Sequence, residues 1–273
     1  MNIFSLIEQA FQEDLPQGDA TTDSLAVKTY PGSAKVIAKS DLILSGKDLF
    51  ERSIKHMEPD AEIKWLFDEG KIVLAKQTIC TIKGNLINIV KAERVALNFL
   101  GRLSGIATLT RRYVNEVRNT DTKILDTRKT TPLYRDLEKK AVRDGGGFNH
   151  RRDLSDQVMI KENHIRIAQS LDKAIEQVRS QTNKFMTVEA HSLEDVDICV
   201  QKNVNRILLD NMDIETLKVA REKIPTHIET EASGNMTLDR VGQVAKTGVD
   251  YISVGALTHS APVADISMIF DWK

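Results

Sequence analysis

The chain has 273 residues, of which 38 are basic and 39 acidic, and its formal net charge is −1. This length allows one large α/β domain or two smaller domains with a substantial core. The balanced charge excludes a global field for a nucleic acid or an anionic membrane, so a basic site has to be local, as for a small anionic ligand.

Several features predict a cytoplasmic protein without a membrane or nucleic-acid partner. No apolar run approaches the length that spans a membrane, and the N-terminal stretch MNIFSLIEQAFQEDL is acidic rather than basic and then apolar. Cys80 and Cys199 lie inside apolar runs without metal-ligand spacing. Both are therefore expected to be reduced and buried.

The first hundred residues predict an α+β module. Apolar residues at helical spacing predict helices over residues 2–14 and 46–57. Short apolar runs, punctuated by Gly70 and Gly84, predict strands between and after them. The predicted strands are residues 33–38, 63–67, 72–75 and 79–82.

Residues 88–119 carry a helical pattern. Ser104-Gly105 predicts a break into two helices and a domain boundary at that point. In the first of these helices Arg94 follows Glu93, and a solvated surface ion pair is the plain interpretation of this arginine.

After residue 120 the pattern changes to an alternation of strands and helices. The predicted strands are residues 123–128, 158–164, 185–189, 206–210, 227–233 and 251–255, with 147–151 as a candidate seventh. The predicted helices are residues 133–142, 167–182, 193–202, 214–222 and 238–247. Repeated βα units predict a parallel sheet curved into a barrel, with a doubly wound open sheet as the alternative.

Charged residues follow these predicted strands where each strand ends. In a parallel βα barrel, the site forms at the C-terminal ends of the strands. Because side chains alternate between faces, Thr187 shares a face with Glu189, and Leu208 shares one with Asp210. The charged residues at the strand ends are Arg128, Lys129, His150, Arg151, Lys161, Glu189 and Asp210.

The chemistry of these residues points to an anionic ligand with phosphate groups. Arginine suits carboxylate and phosphate, while lysine supplies a mobile point charge. Beside phosphates, Glu189 and Asp210 suit Mg²⁺, with Glu231 a more weakly supported third acid. Glycine-containing loops at 232–235 and 254–256 follow the last two strands, as phosphate-binding loops of barrels do.

The order of motifs along nearly the whole chain resembles the quinolinate phosphoribosyltransferase family. The motifs that carry this resemblance include Ala92-Glu93-Arg94-Val95-Ala96-Leu97-Asn98, Asp126-Thr127-Arg128-Lys129-Thr130-Thr131-Pro132, Gly145-Gly146-Gly147-Phe148-Asn149-His150-Arg151, Ile160-Lys161-Glu162-Asn163-His164, Leu208-Leu209-Asp210-Asn211, Glu231-Ala232-Ser233-Gly234 and Val254-Gly255-Ala256-Leu257-Thr258-His259-Ser260. The resemblance implies an N-terminal α/β sandwich over residues 1–104, joined by the tail 262–273, and an incomplete, seven-stranded TIM-like barrel over 105–261.

The resemblance also implies an activity. The family transfers the phosphoribosyl group of phosphoribosyl pyrophosphate to quinolinate and releases pyrophosphate and CO₂, with Mg²⁺, in NAD biosynthesis. It implies a homodimer, with Arg94 of one subunit reaching the pyridine dicarboxylate in the other. The family's pattern assigns roles to further residues. Substrate binding falls to Thr127, Arg128, Lys129, His150, Arg151 and Lys161, and catalysis to Lys129, Lys161, Glu189 and Asp210. Glu189 and Asp210 also hold the metal and the ribose end, and the 5′-phosphate falls to Ser233, Gly234, Asn235, Val254, Gly255 and Ala256.

Four positions at three places in the chain depart from the family's pattern, and three rival functions stay open at this point. Leu133 stands where the family usually has glycine, Arg152-Asp153 where Met-Gly is frequent, and Thr187 where a glutamate is common. The rivals are the family's molybdenum-operon paralogue, a Schiff-base aldolase that uses Lys161, and a non-catalytic pyridine-acid sensor. The Asn149-His150-Arg151 motif disfavours the paralogue, and the retained pair Glu189 and Asp210 disfavours the sensor.

Overall fold

A computed structural model of the chain describes residues 3–272 and resolves them into two compact units. Met1, Asn2 and Lys273, which the predicted terminal segments include, lie outside the described residues. The first unit comprises Met1–Arg111, Thr131–Gly146 and Ala261–Lys273, and the second Arg112–Thr130 and Gly147–Ser260. In the structure, residues 131–146 and the tail group with the N-terminal residues, and the predicted division into 1–104 with 262–273 and 105–261 stays a prediction.

The first unit contains a four-stranded antiparallel sheet in the order β12-β1-β5-β3. Its strands are β1 (Pro31–Ala38), β3 (Glu62–Trp65), β5 (Thr78–Asn85) and β12 (Ile266–Asp271), and a separate pair joins β2 (Leu42–Ile43) to β4 (Ile72–Val73). Helices α1 (Ile3–Asp14) and α2 (Lys47–Met57) contact each other where the Phe11 and His56 rings stack at 4.6 Å. The tail strand β12 was not predicted, since its pairing with β1 joins opposite ends of the chain.

Helix α3 (Leu86–Val117) runs without interruption, so the predicted break at Ser104-Gly105 is wrong. Both residues are small because the helix is closely packed there. The buried Ser104 hydroxyl donates to Ser45 O at 3.0 Å and accepts from Ser45 N at 3.1 Å. At Gly105 a Cβ atom would lie 1.9 Å from Pro262 O, so only glycine admits the returning tail. A close approach, rather than a helix end, accounts for this glycine.

The second unit is a parallel sheet in the order β6-β11-β10-β9-β8-β7 with helices between its strands. The strands are β6 (Lys123–Leu125), β7 (Val158–Ile160), β8 (Met186–Ala190), β9 (Arg206–Asp210), β10 (Glu229–Ser233) and β11 (Tyr251–Ser253). This is the predicted α/β class with an incomplete TIM-like barrel. Six strands form, and the expected seventh is reduced to one bridge between Phe148 and Leu125.

The helices after the strands are α5 (Glu162–Ala168), α6 (Leu171–Gln181), α7 (Leu193–Gln201), α8 (Ile214–Lys223), α9 (Leu238–Ala245) and α10 (Ala256–His259). In the first unit, α4 (Arg135–Asp144) follows the segment 131–134. Ser170, Ser192 and Asp213 cap their helices by accepting the N–H of the third helical residue. The predicted strand 158–164 was too long, since Glu162 already begins α5.

A polar layer lies within the barrel sheet at the amino-terminal ends of its strands. The Arg206 guanidinium lies 5.3 Å from the centre of the Phe185 ring and 4.2 Å from that of Tyr251. It also pairs with Glu229 at 2.5 Å. Ring faces and a carboxylate thus hold this nearly buried cation, which leaves the opposite strand ends for chemistry.

No helix in the described part of the chain is long and apolar enough to cross a membrane. Cys80 and Cys199 are free and buried. Burial raises the pKa of the Cys199 thiol to about 12 and that of Cys80 still further. Both are therefore protonated, unreactive core residues, as the sequence predicts.

Candidate active site

The predicted site residues of the second unit lie at the C-terminal ends of its parallel strands. Register places Ser233 beside Asp210, and Glu189 beside Leu208, so equivalent strand ends carry the polar groups. Lys161 follows β7, and Arg128 with Lys129 follows β6. Because parallel strands point the same way, all these ends meet at one edge of the sheet.

Arg128 and Arg151 each have a buried hydrogen-bond donor that an anion would satisfy. The Nε atoms of both are buried and find no hydrogen-bond partner among residues 3–272. The Nη1 group of Arg151 donates to Gln157 O at 2.9 Å, which orients its guanidinium. Burial and the neighbouring positive charge of Arg128 lower the pKa of Arg151. Two neighbouring cations with buried, unsatisfied Nε donors are stabilised when a carboxylate or phosphate binds between them.

His150 is held from two sides within the barrel. Its backbone N–H donates to Asp126 Oδ1 at 2.7 Å, and Asn149 donates to the other oxygen of that buried carboxylate at 2.7 Å. Its Nδ1 accepts the Arg151 N–H at 2.8 Å, so the proton is on Nε2, which donates to Glu231 Oε2 at 3.1 Å. The imidazole therefore has a defined tautomer and orientation.

Glu231 is the fully buried acid that holds this imidazole. Burial by itself would raise its pKa, but hydrogen bonds from His150 and Ser253 and the charge of Arg206 outweigh that effect, so the pKa lies below its ordinary value. Arg206 Nη1 lies 3.1 Å from Glu231 Oε2. The ionised carboxylate thus holds His150 and Arg206, and the weakly supported assignment of Glu231 as a third metal-binding acid stays a prediction.

Lys161, Glu189 and Asp210 come together at neighbouring strand ends. Lys161 Nζ lies 2.5 Å from Glu189 Oε2. Asp210 Oδ1 accepts from the Ser233 hydroxyl at 2.5 Å, and its Oδ2 accepts from Asn211 at 2.8 Å. The two acids are thus tied into the site by groups from three strands.

His191 joins these two acids and was missed by the sequence analysis. Its Nε2 lies 3.2 Å from Glu189 Oε1 and its Nδ1 lies 3.8 Å from Asp210 Oδ2. One ligand atom from each of the three residues lies within 4.8 Å of the others, a spacing that a divalent cation can span. Carboxylate oxygens fit Mg²⁺, and the Glu189 oxygen away from Lys161 is the one that faces His191. Strand alternation, which puts 191 on the face of 189, was the available signal.

Lys129 and the loop after β11 are connected to each other. The Thr258 hydroxyl donates to Lys129 O at 2.7 Å, and Lys129 N donates to the Thr127 hydroxyl at 3.1 Å. A Cβ atom on Gly255 would lie 3.1 Å from His259 Nε2 and 3.2 Å from Lys129 Cδ. The absence of a side chain at Gly255 leaves room for these two residues above the loop.

The loop after β10 has a backbone that its sequence explains. Gly234 has φ +94°, and a Cβ there would lie 2.1 Å from Asn211 Oδ1. Asn211 and Asn235 also have positive φ, of 55° and 48°, which asparagine tolerates better than most residues. The Ser233-Gly234-Asn235 turn is therefore dictated by residue type.

Arg94 is the one predicted site residue in the first unit. It is exposed on α3, and the Glu93 carboxyl beside it has a pKa raised by burial. The described contacts do not connect it with the strand-end residues.

The three departures from the family's pattern have local consequences. Leu133 adopts φ 68°, a conformation natural for glycine and strained for leucine. Arg152 Nη1 and Asp153 Oδ2 pair at 3.2 Å, so the added charges offset each other. The buried Thr187 hydroxyl makes no hydrogen bond within the described part of the chain.

Two family descriptions together match nearly the whole chain. "Quinolinate phosphoribosyl transferase, N-terminal domain" matches residues 19–104, and "Quinolinate phosphoribosyl transferase, C-terminal domain" matches residues 106–269. They meet at the Ser104-Gly105 position, where the sequence predicts a domain boundary.

Known proteins resemble the chain in sequence and in structure. A Synechocystis protein named probable nicotinate-nucleotide pyrophosphorylase [carboxylating] is 40% identical over 96% of this chain and 90% of its own length. A Nicotiana tabacum protein named quinolinate phosphoribosyltransferase [decarboxylating] 2b, mitochondrial, is 39% identical over 97% of this chain and 81% of its own. The solved nicotinate-nucleotide pyrophosphorylase from Francisella tularensis superposes with a TM-score of 0.94 at 36% identity, covering 98% of this chain and 96% of that one.

Proposed function

The chain belongs to the quinolinate phosphoribosyltransferase family, and we propose that it is the pentosyltransferase that converts quinolinate and phosphoribosyl pyrophosphate into nicotinate mononucleotide, pyrophosphate and CO₂ in NAD biosynthesis. The observation that carries the proposal beyond family membership is the pair of buried arginine Nε donors at Arg128 and Arg151. A pyridine dicarboxylate supplies the anion that these donors lack.

The chain's residues divide into a pyridine end and a phosphate end. Arg128 and Arg151 bind the dicarboxylate, and His150 is fixed beside them by Glu231. Lys129 and the loop 254–256 bind the phosphate groups of the second substrate, together with the Ser233-Gly234-Asn235 turn. The pyridine nitrogen is thereby oriented towards C1 of the ribose, and this positioning contributes a large part of the rate enhancement.

Bond changes follow from the two substrates. The pyridine nitrogen forms a bond to ribose C1 as the bond from C1 to pyrophosphate breaks. The positive charge that develops at C1 is stabilised by the nearby carboxylates of Glu189 and Asp210. The resulting pyridinium ring then loses its 2-carboxylate as CO₂, since the cationic ring stabilises the electron pair left at C2, which takes up a proton.

We propose that Glu189 and Asp210 hold Mg²⁺, with His191 within reach. When bound there, the ion would offset the negative charge of the departing pyrophosphate. We assign Lys161 to the reacting ends, and its ion pair with Glu189 supports this assignment. Binding of Mn²⁺ as a spectroscopic substitute, lost in Asp210→Asn, measures this site independently of turnover.

We also propose a homodimer in which Arg94 completes the partner's pyridine site. Arg94 is exposed and belongs to the compact unit without the strand-end residues, so a site in another subunit is open to it. The cytoplasmic location stays a prediction, because one relative's name assigns it to the mitochondrion.

The direct test is incubation of the purified chain with quinolinate, phosphoribosyl pyrophosphate and Mg²⁺, followed by detection of nicotinate mononucleotide and pyrophosphate. Product is expected only when all three are present, and nicotinate in place of quinolinate should be a poor substrate because it lacks one carboxylate. Folded protein that yields no product would refute the proposed function. Borohydride trapping of Lys161 with a carbonyl compound would instead favour the aldolase alternative.

A further inference from the structure

Glu138 is a fully buried carboxylate that the proposed chemistry does not use. It lies on α4, in the first unit. Its Oε1 accepts from Arg102 Nη2 at 2.7 Å and from the Thr131 hydroxyl at 2.9 Å, and its Oε2 accepts from Thr131 N at 3.1 Å. The Glu138 carboxylate thus accepts hydrogen bonds from the backbone and the side chain of Thr131 and also from the Arg102 guanidinium.

Arg102 extends this arrangement to a second segment. Its Nη1 donates to Ala261 O at 3.1 Å. The tail just beyond is held on α3 as well, since Ala264 N donates to Gly101 O at 2.9 Å. A single guanidinium therefore bridges Glu138, which secures Thr131, and the backbone at Ala261, 130 positions further along the chain.

Both secured residues stand where the chain passes from one compact unit to the other. Thr131 is the first residue after the segment Arg112–Thr130, and Ala261 is the first after Gly147–Ser260. The ends of those segments carry Lys129 and the loop 254–256, and Thr258, two residues after that loop, donates to Lys129 O. Two connections therefore link residues 129–131 to residues 254–261. One is the hydrogen bond from Thr258, and the other is the bridge formed by Glu138 and Arg102.

We propose that Arg102 and Glu138 are a positioning pair that sets the phosphate-binding geometry of Lys129 and the loop 254–256. Neither residue touches substrate. They act by fixing Thr131, two residues after Lys129, and Ala261, five residues after Ala256. Displacement of a binding group by about 1 Å can cost on the order of 100-fold in rate, so a bridge at these points has leverage. This inference rests on the proposed function for the identity of the ligand.

The kinetic test uses Glu138→Gln, which preserves size but presents an amide N–H to a site full of donors. We expect the KM for phosphoribosyl pyrophosphate to rise about tenfold or more, with a smaller change in the KM for quinolinate. Arg102→Met should behave alike. The matched control is Arg221→Met, since Arg221 also donates to two backbone carbonyls, those of Gly248 and Ile224, but at the amino-terminal side of the strands. It should leave both KM values unchanged.

The double variant Arg102→Met/Glu138→Met separates positioning from stability. Replacing a buried ion pair by apolar side chains often restores stability. We expect its melting temperature to recover towards that of the wild type while the KM for phosphoribosyl pyrophosphate stays raised. Unchanged KM values in the folded single or double variants, with only the fraction of active enzyme reduced, would overturn the proposal.

Hydrogen exchange of the ligand-free protein gives a readout that needs no turnover. Peptides covering residues 126–131 and 254–261 should both exchange faster in Glu138→Gln than in the wild type, and the Arg221→Met protein should match the wild type. Protection unchanged in both peptides would contradict the bridge. If both peptides exchange faster in Glu138→Gln but the wild-type protein forms no nicotinate mononucleotide, the proposed function is refuted and the positioning pair is retained.

Discussion

Arg128 is the residue at which charge, burial and a missing partner coincide. Its Nε atom is buried without a hydrogen-bond partner in the described structure, and so is the Nε atom of the neighbouring Arg151. Placing two like charges close together costs free energy when no anion lies between them. Binding of a dianion offsets that cost, so the pair should favour a dicarboxylate over a monocarboxylate.

We predict that Arg128→Ala weakens quinolinate binding by about 100-fold, because a charge-assisted, bidentate contact contributes roughly 2–3 kcal/mol. Arg128→Lys should recover only part of the affinity, since lysine lacks the planar fork. Calorimetric titration with quinolinate measures both. Arg52→Ala, on the exposed face of α2, is the control. Wild-type affinity in Arg128→Ala would remove this residue from the site.

Glu231 makes a second prediction at the residue scale, and it concerns pH. The folded-state pKa lies below the ordinary value of 4.5, so ionised Glu231 contributes stability that is complete above that value and is lost as pH falls through the lower folded-state value. Glu231→Gln should therefore be destabilised by about 2–3 kcal/mol at pH 7, because it weakens the charge-assisted hydrogen bonds of Glu231 and removes one of the two carboxylates that pair with Arg206, the other being Glu229. The difference from the wild type should shrink below pH 4.5 in urea unfolding experiments.

An equal difference between the two proteins at pH 7 and at pH 3 would contradict an ionised Glu231. Asp213 offers a comparison, since its carboxyl is an exposed helix cap with a pKa lowered by its bonds to Thr216. Asp213→Asn should change stability little at either pH, because asparagine is an equally good cap.

At the scale of elements, helix α3 shows how a glycine pair lets a distant segment dock. Gly101 and Gly105 lie one turn apart, and a Cβ on either would meet the tail residues 262–264 within 3.1 Å. The pattern that predicted a helix break instead marks the groove that receives the tail. Small residues at such spacing mark either a helix break or a close contact with another segment, and what packs against the helix decides between the two.

Gly105→Ala should destabilise the protein by about 2–3 kcal/mol, since its Cβ would overlap Pro262 O at 1.9 Å. The matched control is Gly242→Ala in α9, where the nearest atom to a new Cβ is Glu116 O at 3.4 Å. That change should be neutral or stabilise by up to about 1 kcal/mol, because alanine favours a helix interior. Thermal unfolding of both variants provides the comparison. Equal effects would show that the tail can move aside.

At the scale of the whole molecule, the proposed dimer divides the site between chains. Arg94 lies in one compact unit and the strand-end residues in the other. In a symmetric dimer each site would then take Arg94 from the partner, and neither subunit would be complete alone.

Mixing of two inactive variants tests this arrangement. Arg94→Ala and Asp210→Ala should each lose most activity as pure proteins. After denaturation and joint refolding in equal amounts, half of the dimers are mixed and each has one intact site, so about a quarter of wild-type activity should return. No recovery in a mixture shown to contain mixed dimers would place Arg94 and Asp210 in the same subunit's site.

The sequence by itself determined the α/β class, the parallel strand–helix alternation and the residues at the strand ends. These follow from local rules, since side chains alternate along a strand and parallel strands point their ends to one edge. Strand β9 was predicted to the residue, and β8 and β10 to within two. Arg128, Lys161, Glu189 and Asp210 could be named because each lies at or just after the C-terminal end of a recognisable strand.

The tertiary structure decided what those residues meet. The bond from His150 to Glu231, the approach of His191 to both acids and the bridge of Arg102 and Glu138 join positions far apart in sequence. The unbroken helix α3 belongs to the same class, because only the returning tail explains Gly105. Local periodicity carries no information about which distant backbone approaches a glycine or which buried carboxylate a histidine finds, so these features appear only once the chain is folded.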